Sequence, residues 1–429
     1  MISTDPRRLT VLGPVAAIAI ALAVQALLIF GPFIPFWMND FAVYQGAGHA
    51  VLAGLPLYGT TFLNGALFTY SPFAAVLTVP AALLPAVAAQ FTWTVAGYLA
   101  LSASIWLALR ITGATTARRH TAVLVAACTA GASLLAPVQL NVLLGQINLV
   151  LMALVLLDFL PSLPERYRGI ATGIAAGIKL TPLFFVAYLF FTGRRRAAYQ
   201  ALVAFAATAL VGFALLPADS RTYWFQGTFY DATRVMTNDL VVNHSLPGFL
   251  ARLLGESTAP LWALLVAGVV AVACLAAAVW AWHRGHDVVG LLVIAFAAQL
   301  VSPVTWVHHA VWVVPALIWL ATAGWRRATA LPRALLVLTA AWYCAPLWIV
   351  GMSGPTEVPF HFTPAGNLFV TLTGIVVPAA IAIALLPVWL PRLRPVEPER
   401  ARPEQGRPEQ AQPEQDRPEQ VPPQVTPAG

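Results

Sequence analysis

Charge is scarce in this sequence. Asp, Glu, Lys and Arg make up 10% of its 429 residues, against roughly 25% in an ordinary soluble domain. Lys179 is its one lysine. Cysteine is scarce as well: Cys128, Cys274 and Cys344 each stand inside an apolar segment. That excludes a disulfide framework and leaves no Cys/His spacing of the zinc kind. A glycine-rich nucleotide loop in strand-to-helix context is missing. So is any stripe of basic and aromatic residues, which sets nucleic acid aside despite a net charge of +7.

Apolar runs fill the space these features leave. Hydrophobic residues form 59% of the chain, and stretches near the 20 residues of a span recur from Leu9 to Leu390. A bilayer can bury that many runs, whereas one soluble core cannot. We read Leu9–Phe30 as an uncleaved first span, followed by a polar-aromatic stretch, Gly31–Tyr70, and a shorter run, Ser71–Pro85. Further runs lie near Val87–Leu109, Thr121–Val138, Ile147–Leu160 and Ala197–Leu216. Beyond a long loop, Pro217–Thr258, come Leu261–Trp282, Val288–Val301, Ala310–Ala323, Ala334–Val350 and Leu368–Leu390. Gly169–Phe191 is interrupted by Lys179-Leu180-Thr181-Pro182. The expected fold is an all-α polytopic membrane protein of about 10–12 helices, with a membrane domain over 1–394. The segment 395–429 carries a five-residue Pro/Glu/Gln repeat with almost nothing to bury, and reads as a disordered cytoplasmic tail.

Arginines cluster between the runs, at Arg7-Arg8, Arg118-Arg119, Arg166 with Arg168, Arg194 to Arg196, Arg284, Arg326-Arg327, and Arg392 with Arg394. Cytoplasmic loops are marked in this way. All clusters fall inside if Ser71–Pro85 only dips into the outer leaflet and Gly169–Phe191 is two half-helices turning at Thr181-Pro182. Broken helices of that kind are tolerated where they line a cavity. The Gly31–Tyr70 stretch, the Pro217–Thr258 loop and the Thr305–His309 turn then face outward. On this threading the other polar groups gather at the outer face, which suits an enzyme. A flippase or transporter would spread them through the membrane depth.

Three positions attract chemistry on their own, each with a plainer alternative. Asp40 opens a stretch with the helical spacing of an interfacial amphipathic helix, and is either its N-cap or a reactive carboxylate. Lys179 in an apolar run either meets an anion beside the Pro182 break or snorkels to the interface. His308 and His309 are adjacent, so on a helix they point about 100° apart. One of them faces a cavity, or both belong to an interfacial aromatic belt.

The ordered set Asn39-Asp40-Phe-Ala-Val-Tyr44, Gly54-Leu-Pro-Leu-Tyr58, Thr69-Tyr70-Ser71-Pro72-Phe73, Gly145-Gln146-Ile147-Asn148, Gly177-Ile-Lys179-Leu-Thr181-Pro182, Asn243-His-Ser245-Leu246 and Ser302-Pro303-Val-Thr-Trp306-Val-His308-His309 resembles the actinobacterial α-1,2-mannosyltransferases of the GT-C superfamily, which use polyprenyl-phosphate-mannose. Two departures stand out: Tyr-Ser-Pro-Phe replaces the family's more usual Tyr-Pro-Pro-Phe, and His244 stands where glutamine is common. The resemblance implies an inverting transfer of mannose to a phosphatidylinositol mannoside or lipoglycan at the outer face of the plasma membrane. The lipid-linked sugar is a co-substrate, and no metal or other cofactor is expected. It implies Asp40 as general base. Lys179, His308, His309 and Arg252 are the candidates for stabilising the leaving phosphate, and Gln146, Asn148, Asn243 and Tyr70 are further candidates for substrate binding. A different transferred sugar remains an alternative at this point.

Overall fold

The computed structural model describes residues 38–114, 118–235, 243–321, 337–344 and 429. The runs expected at Leu9–Phe30 and Leu368–Leu390, most of Ala334–Val350 and the repeats of the tail lie outside these residues. Among the described residues the regular structure is helical. It comprises α1 (Asn39–Ala53), α2 (Pro72–Ala82), α3 (Ala86–Ile111), α4 (Arg118–Ala132), α5 (Ala136–Leu144), α6 (Asn148–Asp158), α7 (Ile170–Ile178), α8 (Leu183–Phe191), α9 (Arg195–Leu215), α10 (Pro217–Phe225), α11 (Leu246–Leu254), α12 (Leu261–His283) and α13 (Asp287–Val301), then a 3-10 turn (Val307–Trp312) running into α14 (Val313–Trp319). Three of these, α3, α9 and α12, are long and apolar enough to cross a membrane. The chain is an all-α polytopic membrane protein. Several of the apolar runs read from the sequence are short helices of 7–15 residues here.

Glycine explains how the short helices pack. Gly169, Gly173 and Gly177 recur every fourth residue, and a Cβ on them would meet Ala197, Ala201 and Thr208 of α9 respectively. Small residues at this spacing let helix backbones approach closely in a membrane. The contact positions rise together on both helices, so α7 and α9 run parallel. The intervening α8 must therefore run the opposite way, and Ile170–Phe191 is a hairpin whose apex is the extended Lys179 (φ −140°, ψ 134°) with Leu180, Thr181 and Pro182. Each arm has nine residues, about 14 Å, less than half of a roughly 30 Å hydrocarbon core.

One end of the bundle holds Arg166 and Arg194. Gln200 donates to the Arg166 carbonyl (2.8 Å), and Arg194 forms an ion pair with Asp287 at the α12–α13 junction (2.6 Å). The Thr172 N–H donates to the Asp158 carboxylate (2.7 Å), bringing the end of α6 to the start of α7. The opposite ends of α6, α7 and α13 carry Asn148, Lys179 and the approach to the Thr305–His309 turn. The arrangement matches the half-helix threading of Gly169–Phe191. α2 fits it as well. Its first residues meet Gly177 through the Ser71 hydroxyl (2.5 Å), and its last turn meets Gln45 of α1 (3.0 Å). At eleven residues, about 16 Å, it is too short to cross a roughly 30 Å hydrocarbon core.

Three expectations are corrected. α1 does not turn an apolar face to the membrane interface, because that face, with Phe41, Val43, Tyr44, Ala47, Gly48 and Ala50, is buried against the protein. The run Thr121–Val138 is not one helix: α4 ends at Ala132 and α5 starts at Ala136 with Pro137 in its first turn, a position proline favours. α5 and α6 then bend by 119° about Gly145-Gln146-Ile147. Within Pro217–Thr258, read as loop, α10 and α11 form, each started by a proline.

Candidate active site

The bend between α5 and α6 organises the site. Gly145 has φ 70°, and a Cβ there would strike Phe41 and Met38, so only glycine lets the turn sit against the start of α1. The Met38 N–H donates to the Leu143 carbonyl (2.7 Å), and the Trp93 indole N–H donates to the Gly145 carbonyl (2.8 Å). Gln146 and Asn148 project from this clamped turn.

Gln146 meets Asp40. Its Nε2 donates to Asp40 Oδ2 at 2.6 Å, while its Oε1 lies 3.0 Å from the Tyr44 hydroxyl and 3.2 Å from that of Tyr70. The two phenols are themselves 2.9 Å apart. Asp40 is not the helix cap: Met38 occupies that position, no side chain caps the helix, and Asp40 lies within the first turn. Burial pushes its carboxyl above the ordinary carboxylate range, opposed by the Gln146 hydrogen bond and the Lys179 charge. A carboxylate raised in this way is a stronger proton acceptor than a solvated one.

Asn148 meets Lys179. Its Oδ1 accepts from Lys179 Nζ (3.1 Å) and its Nδ2 donates to the His308 carbonyl (3.3 Å), which also accepts from Asn141 (2.5 Å). Lys179 Nζ lies 2.9 Å from His309 Nε2 and 5.7 Å from the centroid of the Tyr70 ring. The Trp306 N–H donates to His309 Nδ1 (3.0 Å), so a neutral imidazole carries its proton on Nε2. That proton points at an amine which, as ammonium, has no lone pair. Two donors therefore lie side by side, and an anionic oxygen placed against both would accept from each. They border a cleft whose apolar walls are Leu151, Met152, Val155, Phe185 and Trp312.

The sequence candidates thus divide. Asp40, Gln146, Tyr70, Asn148, Lys179 and His309 form one connected set. His308 is buried, with its ring against those of Trp306 (5.4 Å between centroids) and His309 (4.6 Å), and its hydrogen bonds to Asn141 and Asn148 are made by its carbonyl. Asn243 is engaged with backbone: its Oδ1 accepts from Thr305 (3.0 Å) and Ser245 (3.2 Å), and its Nδ2 donates to the Pro303 carbonyl (3.1 Å). It holds the turn that carries His309. Arg252, in the last turn of α11, is joined to the set by none of these bonds. Tyr44, Trp93, Asn141 and Gln299 were not singled out from sequence. Gln299 lines the cleft, and its signal was one amide in the otherwise apolar run Val288–Val301. Among the described residues, no three His, Cys, Asp or Glu side chains gather as metal ligands.

The profile of glycosyltransferase family 87 matches residues 68–303, more than half of the chain. The chain belongs to glycosyltransferase family 87. This family 87 chain is 35% identical over 328 residues to a Mycobacterium tuberculosis protein, covering 72% of itself and 75% of that protein. That relative is named a polyprenol-phosphate-mannose-dependent alpha-(1-2)-phosphatidylinositol mannoside mannosyltransferase. The chain is 36% identical to a Mycolicibacterium smegmatis protein of the same name, over 78% of itself and 80% of the relative. A second M. tuberculosis protein, named for a phosphatidylinositol pentamannoside, is 32% identical over 83% and 85% of the two chains. No solved structure matches. The matched segment carries Tyr70, Gln146, Asn148 and Lys179, while Asp40 and His309 flank it. The family 87 profile therefore spans the polar turn and leaves the carboxylate and the imidazole just beyond its ends.

Proposed function

We propose that this membrane glycosyltransferase moves a mannosyl group from polyprenyl-phosphate-mannose to a hydroxyl of a phosphatidylinositol mannoside or related lipoglycan, forming an α-1,2 linkage at the outer face of the plasma membrane. The single observation that carries the reading is the Gly145–Asn148 turn. It holds a carboxylate through Gln146 on one side and a Lys179–His309 donor pair through Asn148 on the other.

A single displacement uses both sides. Asp40 takes the proton of the acceptor hydroxyl as that oxygen bonds to the anomeric carbon. The bond from that carbon to the phosphate oxygen breaks, and the electron pair leaves with the polyprenyl phosphate. Attack opposite a β-linked phosphate gives an α-linked product. Lys179 and His309 donate to the departing phosphate, whose charge they stabilise best in a dry site. The apolar cleft beyond them suits the donor's prenyl chain.

The test is transfer in detergent. Purified protein is incubated with labelled polyprenyl-phosphate-mannose and a panel of mannosylated lipids. We expect a mannosylated lipid whose new linkage an α-1,2-specific mannosidase removes. Product from another polyprenyl-phosphate sugar alone would overturn the donor assignment. Absence of any new glycosidic bond, with lipid translocation in sealed vesicles, would instead mark a flippase.

A further inference from the structure

The two phenols behind Gln146 serve a purpose that the displacement itself leaves open. A carboxamide can present either its oxygen or its nitrogen to a neighbour, and beside a carboxylate these have opposite effects. Tyr70 and Tyr44 place their hydroxyls at 3.2 and 3.0 Å from Oε1. At least one of them donates there, whichever way the proton between the phenols is shared. The oxygen is thereby held on the tyrosine side and the N–H turned to Asp40 at 2.6 Å. The backbone cannot drift, because the Gln146 N–H donates to the Asn141 carbonyl (2.8 Å) and Met38, next to α1, is tied to Leu143. Gln146 spends its hydrogen bond on Oδ2, which leaves Oδ1 of Asp40 outside that bond.

We propose that Gln146 is a positioning residue for the general base: its carboxamide, oriented by Tyr70 and Tyr44, fixes the Asp40 carboxylate so that Oδ1 receives the acceptor's proton. The proposal rests on the assignment of Asp40 as base given above. It departs from a role for Gln146 in binding substrate directly, and the two differ in what they do to the pH dependence of turnover. The Gln146 N–H stabilises the charged form of Asp40, so removing it raises the carboxyl's affinity for protons. The base works only when ionised. Activity is therefore lost, as pH falls, through a higher value in the variant than in the wild type.

The experiment is the pH profile of kcat for full-length, detergent-purified enzyme, with polyprenyl-phosphate-mannose and a phosphatidylinositol mannoside. For Gln146→Leu the acidic limb should move up by about one pH unit, the worth of one hydrogen bond to a charged group. The plateau kcat should fall on the order of tenfold, and the acceptor KM should change by less than about twofold. Tyr70→Phe, which removes one hydroxyl and little volume, should shift the limb in the same direction by less. It carries the test alone if Gln146→Leu does not fold. An unmoved limb with reduced kcat would make Gln146 merely structural. A raised KM with limb and kcat intact would make it a substrate ligand. Either result overturns the proposal. Full turnover by Asp40→Asn would instead remove the base assignment, so the two failures are told apart.

Discussion

Replacing Asp40 by asparagine separates the site's chemistry from its architecture. The substitution keeps the side chain's size and its acceptor oxygen, so the Gln146 N–H (2.6 Å from Oδ2 in the wild type) retains a partner. No helix cap is lost, because Asp40 does not cap α1. Removing a partly buried charge lessens a desolvation cost and forfeits the attraction of Lys179, two effects of opposite sign. Stability should therefore change by no more than about 1 kcal/mol, a few degrees in Tm. The amide cannot accept the acceptor's proton. Turnover should fall by a factor on the order of 10² to 10⁴, or roughly 2.7 to 5.5 kcal/mol of barrier. The assay is initial-rate mannosyl transfer at saturating donor, with thermal melts of the same preparations. A folded Asp40→Asn enzyme that transfers mannose within about threefold of wild type, less than 1 kcal/mol, would refute the assignment. The base would then be sought at Asp231 or Asp239 in the Pro217–Thr258 segment.

Lys179→Ala and His309→Ala should each lower kcat by about 10² or more, the worth of a donor aimed at developing charge. His308→Ala should cost less, because His308 serves the site through its backbone carbonyl; equal losses at both histidines would reject that asymmetry. Gly173→Val drives a side chain into the Ala201 carbonyl and Ala204 of α9 and should destabilise by about 1–3 kcal/mol, visible as a lowered Tm; an unchanged melt would mean the helices can separate freely. Cysteines at positions 60 and 231 should react with a membrane-impermeant reagent on intact cells, while one at 195 should not, and the reverse pattern would invert the proposed orientation. Truncation after Pro395 should keep turnover within about tenfold, or 1.4 kcal/mol; a greater loss would show that the Pro/Glu/Gln repeat contributes to the enzyme.

Much of this site could be read from residue chemistry before any coordinates. Lys179 was conspicuous because an ammonium in an apolar run next to a proline has few inexpensive explanations, and it lies at a hairpin apex beside His309. The arginine spacing anticipated the returning half-helices, since a full crossing at Ile170–Phe191 would have misplaced Arg166 and Arg168. Tyr44 was harder. At helical spacing from Phe41 it reads as part of the apolar face of an interfacial helix, whereas its ring is buried in the protein and its hydroxyl serves Gln146. Asn243 misled in the other direction, because an exposed-looking polar residue in a loop carries no mark of the backbone groups it will bind. The bend at Gly145 depends on a close approach to Phe41 that local propensity cannot encode. Nothing within Thr121–Val138 except Pro137 hinted that the run would divide.

The parallel pairing of α7 with α9 also bears on how the protein is made. Neither arm of the Ile170–Phe191 hairpin is long enough to be released sideways into lipid as a stable span, and the apex carries an ammonium group. The glycine face of α7 packs on residues synthesised after it, Ala197 to Thr208. The hairpin must therefore wait during translation, either within the insertion machinery or against earlier helices, until α9 has emerged. Completion of the site thus depends on a helix that follows Lys179 in the chain.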